Sequence, residues 1–244
     1  MNFEATPEQR TVADKYRAIA SSHFVSSPRR GFDWATWRAL SEANLWRLPV
    51  AERDGGAGLS WGVFIAAYEA IVSTMRSVGF AMALANQATL IRALMLYGTD
   101  AQRDRYLPQL MSGVAGGTAI SEKGTGTEIR ALQTRITENG SAYRLDGHKY
   151  NISQAPDAGL IFVAAGSELD ARSGISLVLL DPHRAGVTRT PPQDTLGVAE
   201  RGACRGVRAV GYPKRWAAPP HGYRLDEPGA VRLAVRGPRS ALPR

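Results

Sequence analysis

The sequence predicts an α+β protein: an N-terminal helical bundle, an antiparallel β-sandwich or barrel left incomplete, and a poorly ordered basic tail. Three observations predict it. Up to residue 113, apolar residues recur at helical spacing with N-capping residues between the runs. From 114 to 195, short β-branched runs alternate with Gly, Asn and Asp, and from 196 to 244 neither period holds. Helices first and strands second argues against a doubly wound sheet, which alternates the two. A chain of 244 residues, 44% of them hydrophobic, suffices for one large or two small domains.

The helical elements follow from their caps. Thr6-Pro7-Glu8-Gln9 combines an N-cap, a first-turn proline and a capping-box glutamine, so a helix should run to about Ser22. Asp33 caps a second, carrying Trp34, Trp37, Leu40 and Leu45. After Pro49 an irregular Gly-rich stretch spans Ala51 to Gly58. A third helix starts near Ser60, with Val63, Ala66, Ala67 and Ala70 on its core side. The fourth, Val78 to about Tyr97, is apolar and small-sided, as expected of a helix buried on most sides or packed on another subunit. Asp100 is expected to cap a fifth, bearing Tyr106, Leu107 and Leu110 and ending at Gly113.

The strands are shorter. Leu132 to Ile136 and Tyr143 to Leu145 flank Glu138-Asn139-Gly140, where Asn-Gly favours a tight turn. Gly159 to Ala165 and Gly174 to Leu180 read as buried strands, and Val187-Thr188 as the start of a shorter one.

Charge and composition narrow the function. Of the net charge of +8, +7 lies in the tail, which holds ten Lys or Arg against three acidic residues from 196 onward, so the body is not expected to bind nucleic acid. The tail is 30 Gly, Pro, Ala or Arg residues out of 49 and lacks a basic-aromatic repeat or an amphipathic face. The longest apolar stretch, Val78 to Leu96, is interrupted by Asn86, Gln87 and Arg92, and no basic-then-apolar leader opens the chain. A cytoplasmic protein without a membrane span is therefore expected. The single cysteine, Cys204, excludes an intrachain disulfide framework. His23, His148, His183 and His221 are scattered singly, so no metal site is expected. Ser121 lacks the flanking glycines of a nucleophile elbow.

The segment with chemical promise is Thr118-Ala119-Ile120-Ser121-Glu122-Lys123-Gly124-Thr125-Gly126-Thr127-Glu128. Its glycines and hydroxyls can form an anion-cradling loop or bond a polar cofactor rim. Read alone, it fits a surface turn between helix and sheet equally well. It matches neither a P-loop nor Gly-x-Gly-x-x-Gly.

An ordered series of motifs resembles the acyl-CoA dehydrogenase family. Leu48-Pro49-Val50-Ala51-Glu52-Arg53-Asp54-Gly55-Gly56-Ala57-Gly58 resembles its Val-Pro-Glu-x-x-Gly-Gly-x-Gly segment, and Tyr97-Gly98-Thr99 with Gln102-Arg103 and Tyr106-Leu107-Pro108 its Tyr-Gly-(Thr/Ser)…Tyr-Leu-Pro run. Ser121-Glu122-Lys123-Gly124-Thr125-Gly126-Thr127-Glu128 is similar to the flavin loop Thr-Glu-Pro-x-x-Gly-Ser-Asp. Tyr143-Arg144-Leu145-Asp146-Gly147-His148-Lys149-Tyr150-Asn151-Ile152-Ser153-Gln154 is similar to Tyr-x-Leu-Asn-Gly-x-Lys-x-(Trp/Phe/Tyr)-Ile-(Thr/Ser)-Asn. Gly174-Ile175-Ser176 and Ala185-Gly186-Val187 fit the strand pair near the end of the middle domain.

The resemblance implies a helical domain at 1–113, a middle β-domain at 114–195 serving as flavin platform, and a family C-terminal helical domain with no counterpart after 195. It implies FAD as cofactor, an acyl thioester of CoA or acyl carrier protein as substrate, and introduction of an α,β double bond. It further implies electron-transfer flavoprotein as the common electron acceptor, and a homo-oligomer or a companion subunit. By residue match, Thr118, Ile120 and Ser121 meet the flavin edge, Gly126 and Thr127 lie near the cofactor, Thr127 also near the thioester arm, and Asn151 and Ser153 lie beside the ring. No catalytic residue is assigned, because the family's base comes from the C-terminal domain and Glu200 and Glu227 stand in unmatched sequence. Asn151 replaces an aromatic, Lys123 a proline, Thr127-Glu128 Ser-Asp, and Gln154 an asparagine. The abrupt Arg/Gly/Ala/Pro texture after 196 resembles an out-of-frame reading of a GC-rich gene, so a truncated copy that lacks the last strands is expected. A non-catalytic remnant or partner subunit, and a flavin-dependent hydroxylase of the same fold, are the alternative readings.

Overall fold

The helices start on the residues whose side chains can satisfy the open amides of a helix N-terminus. The computed structural model describes residues 4–23, 32–124, 128–139, 142–167, 174–190, 210–213 and 230–233. Helix α1 (Pro7–His23) opens on a reciprocal box: the backbone N–H of Gln9 donates to Thr6 Oγ1 at 3.1 Å, and Gln9 Oε1 accepts from the Thr6 N–H at 2.7 Å. Asp33 caps α2 (Trp34–Glu42), accepting from the backbone N–H and the hydroxyl of Thr36. Ser60 caps α3 (Trp61–Met75) and Ser77 caps α4 (Val78–Tyr97). For α5 (Asp100–Met111) the cap is Thr99 rather than Asp100. Thr99 and Gln102 close a second reciprocal box there, and this pairing outcompetes a lone carboxylate. Asp100 sits in the first turn, where its charge suits the helix dipole.

The helices enclose an aromatic core. Trp37 and Trp46 are buried with ring centroids 4.9 Å apart. Their indole N–H groups donate to Gly113 O at 2.7 Å and Ser41 Oγ at 2.8 Å, as a buried tryptophan requires. Gly113 has φ +93°, and a Cβ there would strike Ser41 Oγ, so the turn after α5 admits only glycine. One side of α4 (Phe80, Leu84, Leu90, Ile91, Leu94) joins this core, while Val78, Met82 and Leu96 stand exposed on the other. Length and composition alone would let α4 cross a membrane, yet its packing is that of a core helix with one open face.

The sheet contains β1 (Gly116–Ala119), β2 (Arg135–Asn139), β3 (Ala142–Asp146), β4 (Leu160–Ser167) and β5 (Ile175–Leu180). Two tail segments, β6 (Val210–Pro213) and β7 (Ala230–Leu233), extend its edges, so the sheet takes in residues beyond 195. The order is β6-β3-β2-β4-β5-β7, with β1 also on β4, and the sheet does not close. Pairing is antiparallel for β2–β3, β3–β6, β4–β5 and β5–β7. It is parallel where β4 meets β1 and β2, which makes the sheet mixed rather than wholly antiparallel.

That departure has a simple geometry. Strand β1 runs beside Leu160 to Val163 of β4, and β2 then runs in the same direction beside Gly166 and Ser167. The chain leaves this line at residue 120 and rejoins it at 135. A parallel return of this kind leaves no local alternation to read in a sequence. Likewise β1, Gly-Gly-Thr-Ala, has none of the bulk that marks a strand. A Cβ on Gly116 would strike the Leu90 side-chain tip of α4, so a larger residue there would have to displace that leucine.

Two further sequence expectations shift. The β2–β3 register pairs Asn139 with Ala142, so Asn139 ends β2 rather than standing in the turn expected at Asn139-Gly140. Residues 140 and 141 lie outside the described residues. Val187-Thr188 forms no strand; Val187 packs on the core instead, and Arg189 donates to Ala155 O at 3.1 Å and Pro156 O at 2.8 Å. Strand β4 is buried on both faces, with Leu160 and Phe162 turned to the helices. Ile161, Val163 and Ala165 enter a second core with Ala119, Ile152 and Val178.

Candidate functional site

The site forms where β1 passes from the helical core to the second core. Its position is set by two adjacent polar residues in the apolar helix α4. Gln87, fully buried, donates from Nε2 to Leu110 O at 3.0 Å and Val114 O at 2.9 Å, and its Oε1 accepts from the Gly116 N–H at 2.9 Å. Asn86 donates to Gly116 O at 2.7 Å and accepts from the Thr118 hydroxyl at 2.6 Å. Both ends of Asn86 and the carbonyl end of Gln87 thus hold β1 against α4, while the Gln87 amino end holds the end of α5 and the turn before β1. Thr118 pairs in register with Phe162 and faces the helix, Ala119 is buried in the second core, and Ile120 emerges 40% exposed.

The next residues are fastened from beneath. Lys149, whose side chain is fully buried, donates from Nζ to Ile120 O at 3.0 Å and to Glu122 Oε1 at 2.8 Å. The Glu122 carboxylate also reaches the far end of the 120–134 crossover. Its Oε2 accepts from the Gln133 N–H at 2.6 Å, and Oε1, besides the Lys149 ammonium, accepts from the Thr134 N–H at 2.9 Å. Burial alone would raise the Glu122 carboxyl, but the Lys149 ammonium and these amide donors outweigh it and hold the group down to about 2. Burial pulls the Lys149 ammonium below its usual range, with Glu122 opposing.

The second rim follows at once. The Tyr150 N–H donates to Ser121 O at 2.8 Å, bringing residues 149–153 alongside 120–122. Asn151 is exposed with φ +55°, a left-handed conformation that asparagine tolerates better than most residues. Ser153 is half-buried, and its carbonyl lies 3.6 Å from where a Cβ on Gly117 would sit, so the turn closes directly over β1. Gln154, φ +59°, is buried, and both polar atoms of its side-chain amide lack a hydrogen-bond partner among the described residues. Its carbonyl accepts from the Asp157 and Ala158 N–H groups at 3.1 and 2.9 Å, closing the turn.

The structure therefore brings Thr118, Ile120, Ser121, Asn151 and Ser153 onto two touching segments. Gly126 and Thr127, also expected at the site, lie outside the described residues. Asn86, Glu122 and Lys149 were not singled out from the sequence. Asn86 and Thr118 are 32 positions apart and Lys149 and Glu122 are 27 apart; the visible signal was a polar residue interrupting an apolar run for Asn86, and only a place within a motif for Glu122 and Lys149. The residues present fit a flavin: an exposed apolar side chain at Ile120 is set among hydroxyls and an orphaned buried amide at Gln154. A planar ring with a polar edge needs both kinds of surface.

A helical domain laid on a mixed sheet, with a polar rim at their junction, defines a two-domain helical-plus-β platform. Residues 6–114 match the acyl-CoA dehydrogenase N-terminal domain, and residues 117–207 match the middle domain of the same family. The chain belongs to the acyl-CoA dehydrogenase family through these two domains. It is 30% identical over 206 residues to the probable acyl-CoA dehydrogenase YngJ of Bacillus subtilis (strain 168), covering 81% of this chain and 54% of that protein. Its fold is similar to that of the prolyl acyl carrier protein oxidase AnaB, with TM-score 0.78 and 20% identity over 96% of this chain and 60% of that one. It is also similar to a glutaryl-CoA dehydrogenase from Mycobacterium smegmatis solved in complex with FADH2, with TM-score 0.73 and 18% identity over 86% and 55% of the two chains. The chain spans about half the length of the curated relatives it matches.

Proposed function

We propose that the two rims hold FAD and that the chain serves an oxidoreductase that introduces an α,β double bond into an acyl thioester. The observation that carries this reading is the convergence of residues 118–121 and 151–153 beside an open apolar helix face. Met82 and Thr89, one turn to either side of Asn86 on α4, are exposed together with Ala85. Since Asn86 bonds Thr118 directly, this stripe adjoins the rim and can take an acyl chain.

Bound FAD would supply the two-electron acceptor. The chain's own part is to bind and orient: the Ser121 hydroxyl and the backbone amides of the rim would present donors to the ring edge, while Thr118, whose hydroxyl donates to Asn86, and Ser153 shape the two rims. Glu122 does not serve as proton acceptor at the substrate, since it is bound to Lys149 and two amides and is held strongly ionised. The similarity to a carrier-protein oxidase supports a carrier-bound thioester alongside acyl-CoA as substrate class.

The test is direct. The purified chain is mixed with FAD, desalted, and its visible spectrum recorded, followed by titration with acyl-CoA and acyl-carrier thioesters. Retained yellow flavin absorbance that shifts on adding thioester is expected. A folded chain that emerges colourless refutes cofactor binding, and a coloured chain whose spectrum ignores both thioesters refutes the substrate assignment.

A further inference from the structure

Among the described residues, the charged side chains in the protein interior are Glu122 and Lys149, and they pair with each other. A buried ion pair is a weak device for stability, because desolvation offsets most of the attraction and well-packed apolar side chains do as well. Its distinctive property is direction: charge-assisted hydrogen bonds fix where their partners sit. Here the partners are the first rim and the far end of the crossover that leaves it. The ammonium holds the Ile120 carbonyl and the Glu122 carboxylate. The carboxylate holds the amides of Gln133 and Thr134, and Thr134 O in turn accepts from the Gly166 N–H of β4 at 2.8 Å. Lys149 directly precedes Tyr150, whose N–H holds Ser121 O.

We propose that Glu122 and Lys149 are positioning residues that set the spacing and orientation of the Ile120–Ser121 rim against the Asn151–Ser153 rim, and so prepare both for the flavin. This rests on the reading that the rims hold FAD. The pair touches neither reacting atom nor exposed surface; it acts through the Ile120 carbonyl and through the two ends of the 120–134 crossover.

The experiment compares wild type with Lys149→Met and with the shape-conserving Glu122→Gln, as full chains, by amide hydrogen exchange without cofactor and by FAD titration. In Lys149→Met, amides 119–123 and 149–153 should exchange about tenfold faster while α3, α4, β4 and β5 keep wild-type rates. Glu122→Gln should show the same pattern more weakly. The FAD dissociation constant should rise about tenfold, the size expected for one lost charge-assisted bond, and Lys149→Arg should recover part of it. Unchanged exchange in both segments, or acceleration shared by every element, overturns the proposal, the latter because it marks a general loss of stability. Equal FAD affinity for wild type and Lys149→Met overturns it too. If wild type binds no FAD yet the exchange pattern is local, the cofactor reading fails and the fastening of the two rims stands.

Discussion

Replacing Gln87 by leucine tests whether β1 is held in place by the helical domain. The substitution keeps the side chain's approximate bulk and removes three hydrogen bonds, to Leu110 O, Val114 O and the Gly116 N–H. Leu110 O retains the Gly113 N–H at 3.1 Å, so the loss falls on Val114 O and on the Gly116 N–H, which is buried. Each buried group left without a partner costs about 1–3 kcal/mol, giving about 3 kcal/mol for the two after the small gain from burying an apolar side chain. That is a large part of the roughly 5–15 kcal/mol by which a typical domain is stable. With a urea dependence of about 2 kcal/mol per molar, the unfolding midpoint should fall by about 1.5 M. Fluorescence of buried Trp37 and Trp46 reports the transition. A midpoint shift under about 0.3 M would refute the reasoning, since it would mean that Gly116 and Val114 find other partners without Gln87.

Two other outcomes are expected. At Asn151, glycine should leave the melting temperature unchanged, whereas valine, forced into φ +55°, should cost about 1–2 kcal/mol and lower it by roughly 2–8 °C; equal melting of the two variants contradicts the left-handed backbone there. The Glu122 carboxyl, held at about 2 against an ordinary 4.5, stays ionised in the fold at pH values where the unfolded chain takes up a proton. Its contribution to stability is therefore complete above about pH 4.5 and is lost as pH falls toward 2. Urea midpoints measured across that window should fall less steeply in Glu122→Gln, and parallel slopes would show that the carboxylate is not held as described.

The helical half was readable because its signals are local. A hydroxyl or carboxylate followed three residues later by its amide partner starts α1, α2 and α3 where expected, and even at α5 the reading missed by one residue. The sheet was readable only where strands alternate or run apolar. Strand β1 escaped because a segment pressed against a helix must be small, and small residues carry no strand propensity. For the rim, the hydroxyl and glycine content of 118–128 and the motif around 149–154 pointed to the right segments. What fastens the segments was invisible, because Asn86 to Thr118 and Lys149 to Glu122 are contacts between distant positions. Asn86 and Gln87 were visible only as interruptions of an apolar helix, and the fold spends both on main-chain groups of the α5–β1 segment.

The collinear placement of β1 and β2 along one edge of β4 has a consequence for how such a chain can diverge. In a hairpin, adding one residue slides one strand past its partner and turns every inward side chain outward. Here the crossover leaves and returns to the same line, and each strand is pinned separately, β1 by α4 and β2 by β3 and β4. Residues can be inserted or deleted between Lys123 and Leu132 without shifting a single pair in the ladder. The connection can thus change in length as well as in side chain, while the scaffold beneath keeps its register.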